Sequence, residues 1–385
     1  MDSNNLSEDT KVILLLVCSF GNNEHTKVKP LDLRAYNKLA QWLDRNGMRP
    51  ADLLSSGGRN KLTGMGIKGL EADRLFALLN RGGAMALAVE SWYSKGIWII
   101  SRADEDYPKL LKKKLRWSRP PIIYIAGKAE SLDRGGLAIV GSRDVDEKGL
   151  SFTRRVASLC ARQDIQVVSG GARGVDDLAM QSAISEGGTV IGVVADDLVK
   201  ASLSKKYRNF ILKGNLTLIS PYSPSLGFST GRAMGRNKVI YALSDWALVV
   251  NSSLEEGGTW AGATENFKNK WVRLFVRTAG SIPVGNRRLL EMGGIAMPED
   301  MIEEEADLRN WFNTLFHVVW PTIEKELKTE KREKDLAEKL NVRIAQLRDW
   351  LKLGIKLGKI SKLSGPVRYV VSSQNPSDFA RKKNQ

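Results

Sequence analysis

Two stretches decide the fold: Leu137-Ala-Ile-Val-Gly-Ser-Arg143 and Ile165-Gln-Val-Val-Ser-Gly-Gly-Ala-Arg-Gly-Val-Asp176. Each is a short apolar run that ends in glycine and small polar residues. Between them Phe152, Val156, Leu159 and Cys160 recur at helical spacing, and residues 175–184 continue as a second helix. A strand covered on both faces reads as an unbroken apolar run, and parallel strands need a helical crossover. Working outward, residues 189–194, 216–219, 246–250 and 271–276 are further buried-strand candidates. The pattern predicts an α/β fold: an extended Rossmann-like, doubly wound, mostly parallel sheet.

In such sheets the loops after the strands converge on one crevice. Three of these loops are rich in glycine. They are Gly141-Ser142-Arg143, then Ser169-Gly170-Gly171-Ala172-Arg173-Gly174, then Glu256-Gly257-Gly258-Thr259. Glycine lets the backbone approach an anion, and a following helix offers unpaired N–H groups and a partial positive charge. Arg143 and Arg173 add planar donor forks suited to phosphate. One such loop alone is an ordinary strand-to-helix turn; three in one domain, two with arginine, predict an anion site. Gly141, Ser142, Ser169, Gly170, Gly171, Gly174, Gly257, Gly258 and Thr259 form the expected phosphate pocket. Arg232, Arg236, Asn237 and Lys238 lie on a predicted helix around residues 234–241. Arg232 and Arg236, four apart, share a face, and with Asn237 they are expected to line the crevice mouth. No Gly-Lys-Ser/Thr P-loop and no Gly-x-Gly-x-x-Gly fingerprint occurs in these loops, which disfavours P-loop hydrolysis and NAD chemistry.

The chain has 385 residues, enough for two or three domains. Hydrophobic residues make up 42%, which supports a packed core and excludes disorder for most of the chain. Two cysteines and two histidines, Cys18, Cys160, His25 and His317, are too few for a disulfide framework, a zinc finger or a multi-His metal site. No metal, cofactor or catalytic triad is therefore expected. The longest apolar run, Val12 to Cys18, is too short to span a membrane, and the expected setting is a reducing cytoplasm.

Lys+Arg number 59 against 43 Asp+Glu, a net charge of +16. The excess is uneven. From Tyr107 to Lys128 there are seven basic residues and no acid, and residues 321–385 carry 16 basic and 8 acidic residues, a net of +8. Such stretches suit a polyanion. Trp117 inside the first stretch and Trp260 beside a glycine loop are base-stacking candidates, although each also fits an apolar anchor. Asp176, Glu255, Glu256 and Glu265 are the available acids; Asp176 also suits a helix cap.

The expected layout is an N-terminal helical domain (1–100), the Rossmann-like domain (101–305), a helix and linker (306–334), a winged-helix domain (335–372) and a disordered basic tail (373–385). The N-terminal domain carries Leu62-Thr-Gly-Met-Gly-Ile-Lys-Gly-Leu70 between helical patterns, as in a helix-hairpin-helix. In the C-terminal domain, Leu336, Leu340, Ile344, Leu347 and Leu351 mark two helices broken at Asn341-Val342. They precede the glycine-tipped hairpin Gly358 to Val371.

Residues from about 90 to 298 resemble the DNA-processing protein A family (DprA, also called Smf). The resemblance rests on Asp106-Tyr107-Pro108, Pro120-Pro-Ile-Ile-Tyr-Ile-Ala-Gly127, Ala138-Ile-Val-Gly-Ser-Arg143 and Ser169-Gly-Gly-Ala-Arg-Gly-Val-Asp176. It continues through Gly235-Arg-Asn-Lys-Val-Ile240, Gly257-Gly-Thr259 and Gly285-Asn-Arg-Arg-Leu-Leu-Glu-Met-Gly293. It implies a non-enzymatic, homodimeric protein that binds and protects single-stranded DNA and helps load a RecA-type recombinase during natural transformation. It implies that Arg143, Arg173, Arg236 and Asn237 contact DNA. The chain departs from the family at Met180, where histidine is usual, and between Ala195 and Ile211. A divergent member serving phage defence or plasmid maintenance is compatible with this.

Two other readings compete. A nucleotide sensor or phosphoribohydrolase of the same fold superfamily would use Glu265 in a loop like Gly257-Gly258-Thr259. A duplex-DNA transcription factor would act through the winged helix.

Overall fold

A computed structural model describes residues 6–20, 28–299, 302, 307–314, 316–340, 342 and 344–372. These residues form two compact units that divide between Gly294 and Ile295.

The first unit is built on strands β1 (Ile97–Ser101), β2 (Ile122–Ala126), β3 (Leu137–Val140), β4 (Val167–Ser169), β5 (Val190–Val193), β6 (Leu216–Ser220), β7 (Trp246–Val249) and β8 (Arg273–Arg277). Their order in the sheet is β1-β2-β6-β5-β4-β3-β7-β8. From β6 through β8 every pairing is parallel, and β1 and β2 are antiparallel additions at one edge. The mostly parallel α/β sheet expected from the sequence is present. The two antiparallel strands were not foreseen. Both are short apolar runs outside the strand-to-helix alternation of the parallel sheet, and β2 is buried at every residue.

The N-terminal helices are α1 (Glu8–Val17), α2 (Leu33–Arg45), α3 (Ser56–Thr63), α4 (Ala72–Leu79) and α5 (Gly82–Tyr93). The apolar run of α1 is buried from Val12 to Leu16. Trp92 of α5 meets Tyr124 of β2 edge-on at 5.3 Å, joining helices to sheet. The turn expected between two helices at residues 64–70 lies between α3 and α4.

Helices cross over between the strands: α6 (Lys109–Leu115), α7 (Glu147–Arg162), α8 (Val175–Ser185), α9 (Leu198–Leu203), α10 (Arg208–Lys213), α11 (Thr230–Ala242), α12 (Gly257–Asn269) and α13 (Val284–Glu291). Asp146 caps α7 by accepting from the Gly149 N–H at 2.8 Å, and Phe152, Val156, Leu159 and Cys160 form its buried stripe. No helix among the described residues is long and apolar enough to cross a membrane.

The topology fixes where a site forms. The chain winds from β3 outward through β4 and β5 to β6, then returns to place β7 on the other side of β3. The loops leaving β3 and β7 therefore diverge, and a crevice opens at their carboxyl ends.

The second unit begins with β9 (Ile295–Met297). It contains helices Leu308–Thr314, Phe316–Glu326, Glu333–Lys339 and Ile344–Lys356, then the antiparallel hairpin β10 (Ile360–Leu363) and β11 (Arg368–Val371). Leu336, Leu347, Leu351, Ile360 and Tyr369 are buried there. Asn341, part of the expected helix break, and the tail 373–385 lie outside the described residues.

Candidate functional site

A cavity of about 510 Å³ occupies the crevice at the switch point. Val140, Gly141, Ser142, Arg143 and Asp144 contribute from the end of β3, and Ser253, Glu256, Gly257, Gly258 and Thr259 from the loop after β7. Ala172 and Asp176 form part of the floor, and Phe228, Thr230, Ala233, Met234, Arg236 and Asn237 supply the third wall. The loops after β3, β4 and β7, singled out separately by their glycines, thus meet in one place.

The floor is a buried pair, Asp176 and Arg236. The Gly141 N–H donates to Asp176 Oδ1 at 3.3 Å. Burial pushes this carboxyl up to about 6, against the pull of Arg236 and the amides of Gly141, Gly170 and Ala172. Arg236 is 5% exposed, and its Nη1 donates to the Val193 carbonyl at the end of β5. Burial lowers its pKa despite Asp176: each charge loses more hydration than its partner restores. Among the described residues, Arg236 Nε finds no hydrogen-bond partner. Arg236 therefore lies in the floor and braces α11 against β5, whereas helical spacing alone puts it at the mouth.

The glycines permit this packing. A Cβ on Gly170 would meet Asp176 Oδ2 at 2.5 Å and collide with the Arg236 guanidinium. Gly174 turns into α8 at φ +91°, where a Cβ would meet the Ser142 carbonyl oxygen at 2.7 Å. Ser169 is buried and its hydroxyl donates to the Ile139 carbonyl at 2.6 Å. Ser169, Gly170, Gly171 and Gly174 shape the loop from beneath, and none of them lines the cavity.

Two features face the opening. Arg143 holds its guanidinium 5.4 Å from the centroid of the Phe228 ring, and Phe228 is 52% exposed. Opposite, α12 starts at Gly257 with no capping side chain, so its first amides are open to an anion. Asn237 donates to the Gly258 carbonyl at 2.9 Å and ties α11 to this loop. Arg173 stands outside in an exposed ion pair with Asp144 at 3.5 Å, a contact worth about 1 kcal/mol or less.

Other expected residues lie elsewhere. Arg232 donates to the Gly227 carbonyl and does not line the cavity. Lys238 faces a separate cavity on another side of α11. Trp260 packs against the core. Glu265 is not among the cavity residues and acts electrostatically on Lys238. Met180 is fully buried. Sequence reasoning missed Phe228, Thr230 and Ser253; the only signal for Phe228 was an apolar residue in the turn-rich run Pro221-Tyr-Ser-Pro-Ser-Leu-Gly-Phe228.

A family model described as DNA recombination-mediator protein A matches residues 98–297. A protein named Smf from Synechocystis sp. is 27% identical over 194 residues, 48% of this chain and 46% of the relative. A putative DNA processing protein DprA from Mycobacterium tuberculosis is 25% identical over 226 residues, 55% of this chain and 52% of the relative. The chain spans about half the length of these curated relatives. The X-ray structure of DNA processing protein A from Streptococcus pneumoniae superposes with a TM-score of 0.57 at 18% identity. The match covers 76% of this chain and 95% of that one, a likeness of fold.

Proposed function

The chain belongs to the DNA recombination-mediator protein A family, and from that premise we propose that it binds single-stranded DNA in the switch-point cavity without catalysing a reaction. One observation carries this reading: the Phe228 ring and the Arg143 guanidinium stand together at the opening, facing the uncapped amides of α12. An exposed ring stacks an unpaired base, which a duplex keeps inside its helix. The guanidinium and the helix amides take phosphate oxygens. Arg173 strengthens the field at the rim once a phosphate draws it from Asp144.

The finer parts of the proposal extend this reading. The second unit's helices and hairpin act as a winged helix, and the turn between α3 and α4 as a helix-hairpin-helix. The protein works in the cytoplasm as a homodimer and passes its DNA to a RecA-type recombinase. Fluorescence anisotropy with labelled oligo-dT and a matched duplex tests the central point. Tighter binding of the single strand is expected; equal or tighter binding of the duplex would overturn it.

A further inference from the structure

We propose that the turn Arg116–Ser118 is a second single-strand contact, in which the Trp117 ring stacks a base and Lys109, Lys113 and Arg116 take the neighbouring phosphates. The proposal rests on the single-stranded DNA reading above but uses none of its residues.

The turn is anchored so that its side chains face out. The Trp117 carbonyl accepts from Asn37 Nδ2 at 2.8 Å and from Arg102 Nη2 at 3.1 Å. The Arg119 carbonyl accepts from the same Arg102, and the Pro120 carbonyl from the Tyr107 hydroxyl at 2.7 Å. The backbone enters through Arg116 in the left-handed region, at φ 49°, a conformation that costs a non-glycine residue energy and persists where surroundings enforce it. These contacts fix the backbone while Trp117 stays 51% exposed. A large aromatic held in water by an anchored backbone is a ready stacking platform.

The charge around it has one sign along the chain. Of the basic residues in α6, Lys112 is drawn to the Asp104 and Glu105 carbonyls and Lys114 to the Ser244 carbonyl. Lys109 and Lys113, four residues apart on one face, are exposed, as is Arg116. None of the three is paired with an acid among the described residues.

The position suits a strand leaving the first cavity. Thr230, Ala233 and Asn237 of α11 line that cavity, while Gly235 and Lys238 of the same helix line a second one of about 340 Å³. Ser118, Pro120 and Pro121, directly after Trp117, form part of the second cavity's wall. The residues that follow Trp117 thus share a cavity with one side of α11, and Arg143 shares a cavity with another side of the same helix.

Anisotropy with a six-nucleotide and a twenty-five-nucleotide oligo-dT tests this on the full chain. Trp117→Ala is expected to weaken the longer oligonucleotide about tenfold and to leave the shorter one within about twofold. Trp117→Phe is expected to recover most of the loss, because a ring remains. Lys113→Gln combined with Arg116→Gln is expected to reduce the salt slope for the longer oligonucleotide by about 1.4, or 0.7 per phosphate. An unchanged affinity in Trp117→Ala, an equal loss at both lengths, or no recovery with phenylalanine would overturn the proposal. So would a change of assembly mass in Trp117→Ala without a change in DNA affinity. Failure of the wild-type chain to bind either length would overturn the cavity reading itself.

Discussion

At the scale of single residues, the site depends on what lies under it. Gly170 leaves room for the Asp176–Arg236 pair, and a methyl group there would collide with both. Gly170→Ala is expected to cost on the order of 3 kcal/mol in chemical denaturation and to weaken oligo-dT binding by displacing the floor. Asp176 gives a test in pH. Burial raises its carboxyl from 3.8 to about 6 in the folded protein, so the folded state holds more protons than the unfolded state between these values. Its contribution to stability is therefore greatest at low pH and declines as pH rises from about 4 to about 6. Comparing wild type with Asp176→Asn isolates this contribution from the other carboxylates. The stability difference is expected to move in favour of the asparagine variant as pH rises through that window; a difference constant with pH would contradict it.

At the scale of elements, two helices set the aperture. Asn237 ties α11 to the start of α12 through the Gly258 carbonyl. Asn237→Ala is expected to cost about 1 kcal/mol of stability and to lower oligo-dT affinity, read by thermal melting and anisotropy. The elements also show what a sequence carries. The parallel strands were legible because burial on both faces erases alternation, leaving runs such as Leu137-Ala-Ile-Val140. The glycine loops were legible because only glycine packs where Gly170 and Gly174 do. The direction of side chains on α11 was not. A four-residue spacing puts Arg232 and Arg236 on one face, but it does not say that Arg236 reaches inward to Val193 while Arg232 is held at Gly227. Phe228 was missed because its loop has no period, and an exposed ring in such a loop leaves no pattern to count.

At the scale of the whole molecule, the net charge of +16 draws any polyanion, single or double stranded, and by itself sets no preference. In the proposed reading, preference comes from a local arrangement within the first unit, where a ring, a guanidinium and a helix terminus share one crevice. Changing one member should therefore remove a definite part of the salt dependence and leave the background attraction. The direct test is oligo-dT anisotropy across a series of salt concentrations, for wild type and Arg143→Ala. Weaker binding by the variant is expected, with a log–log salt slope shallower by about 0.7, the loss of one phosphate contact. Identical affinity and slope in the two proteins would contradict the assignment of DNA to this cavity.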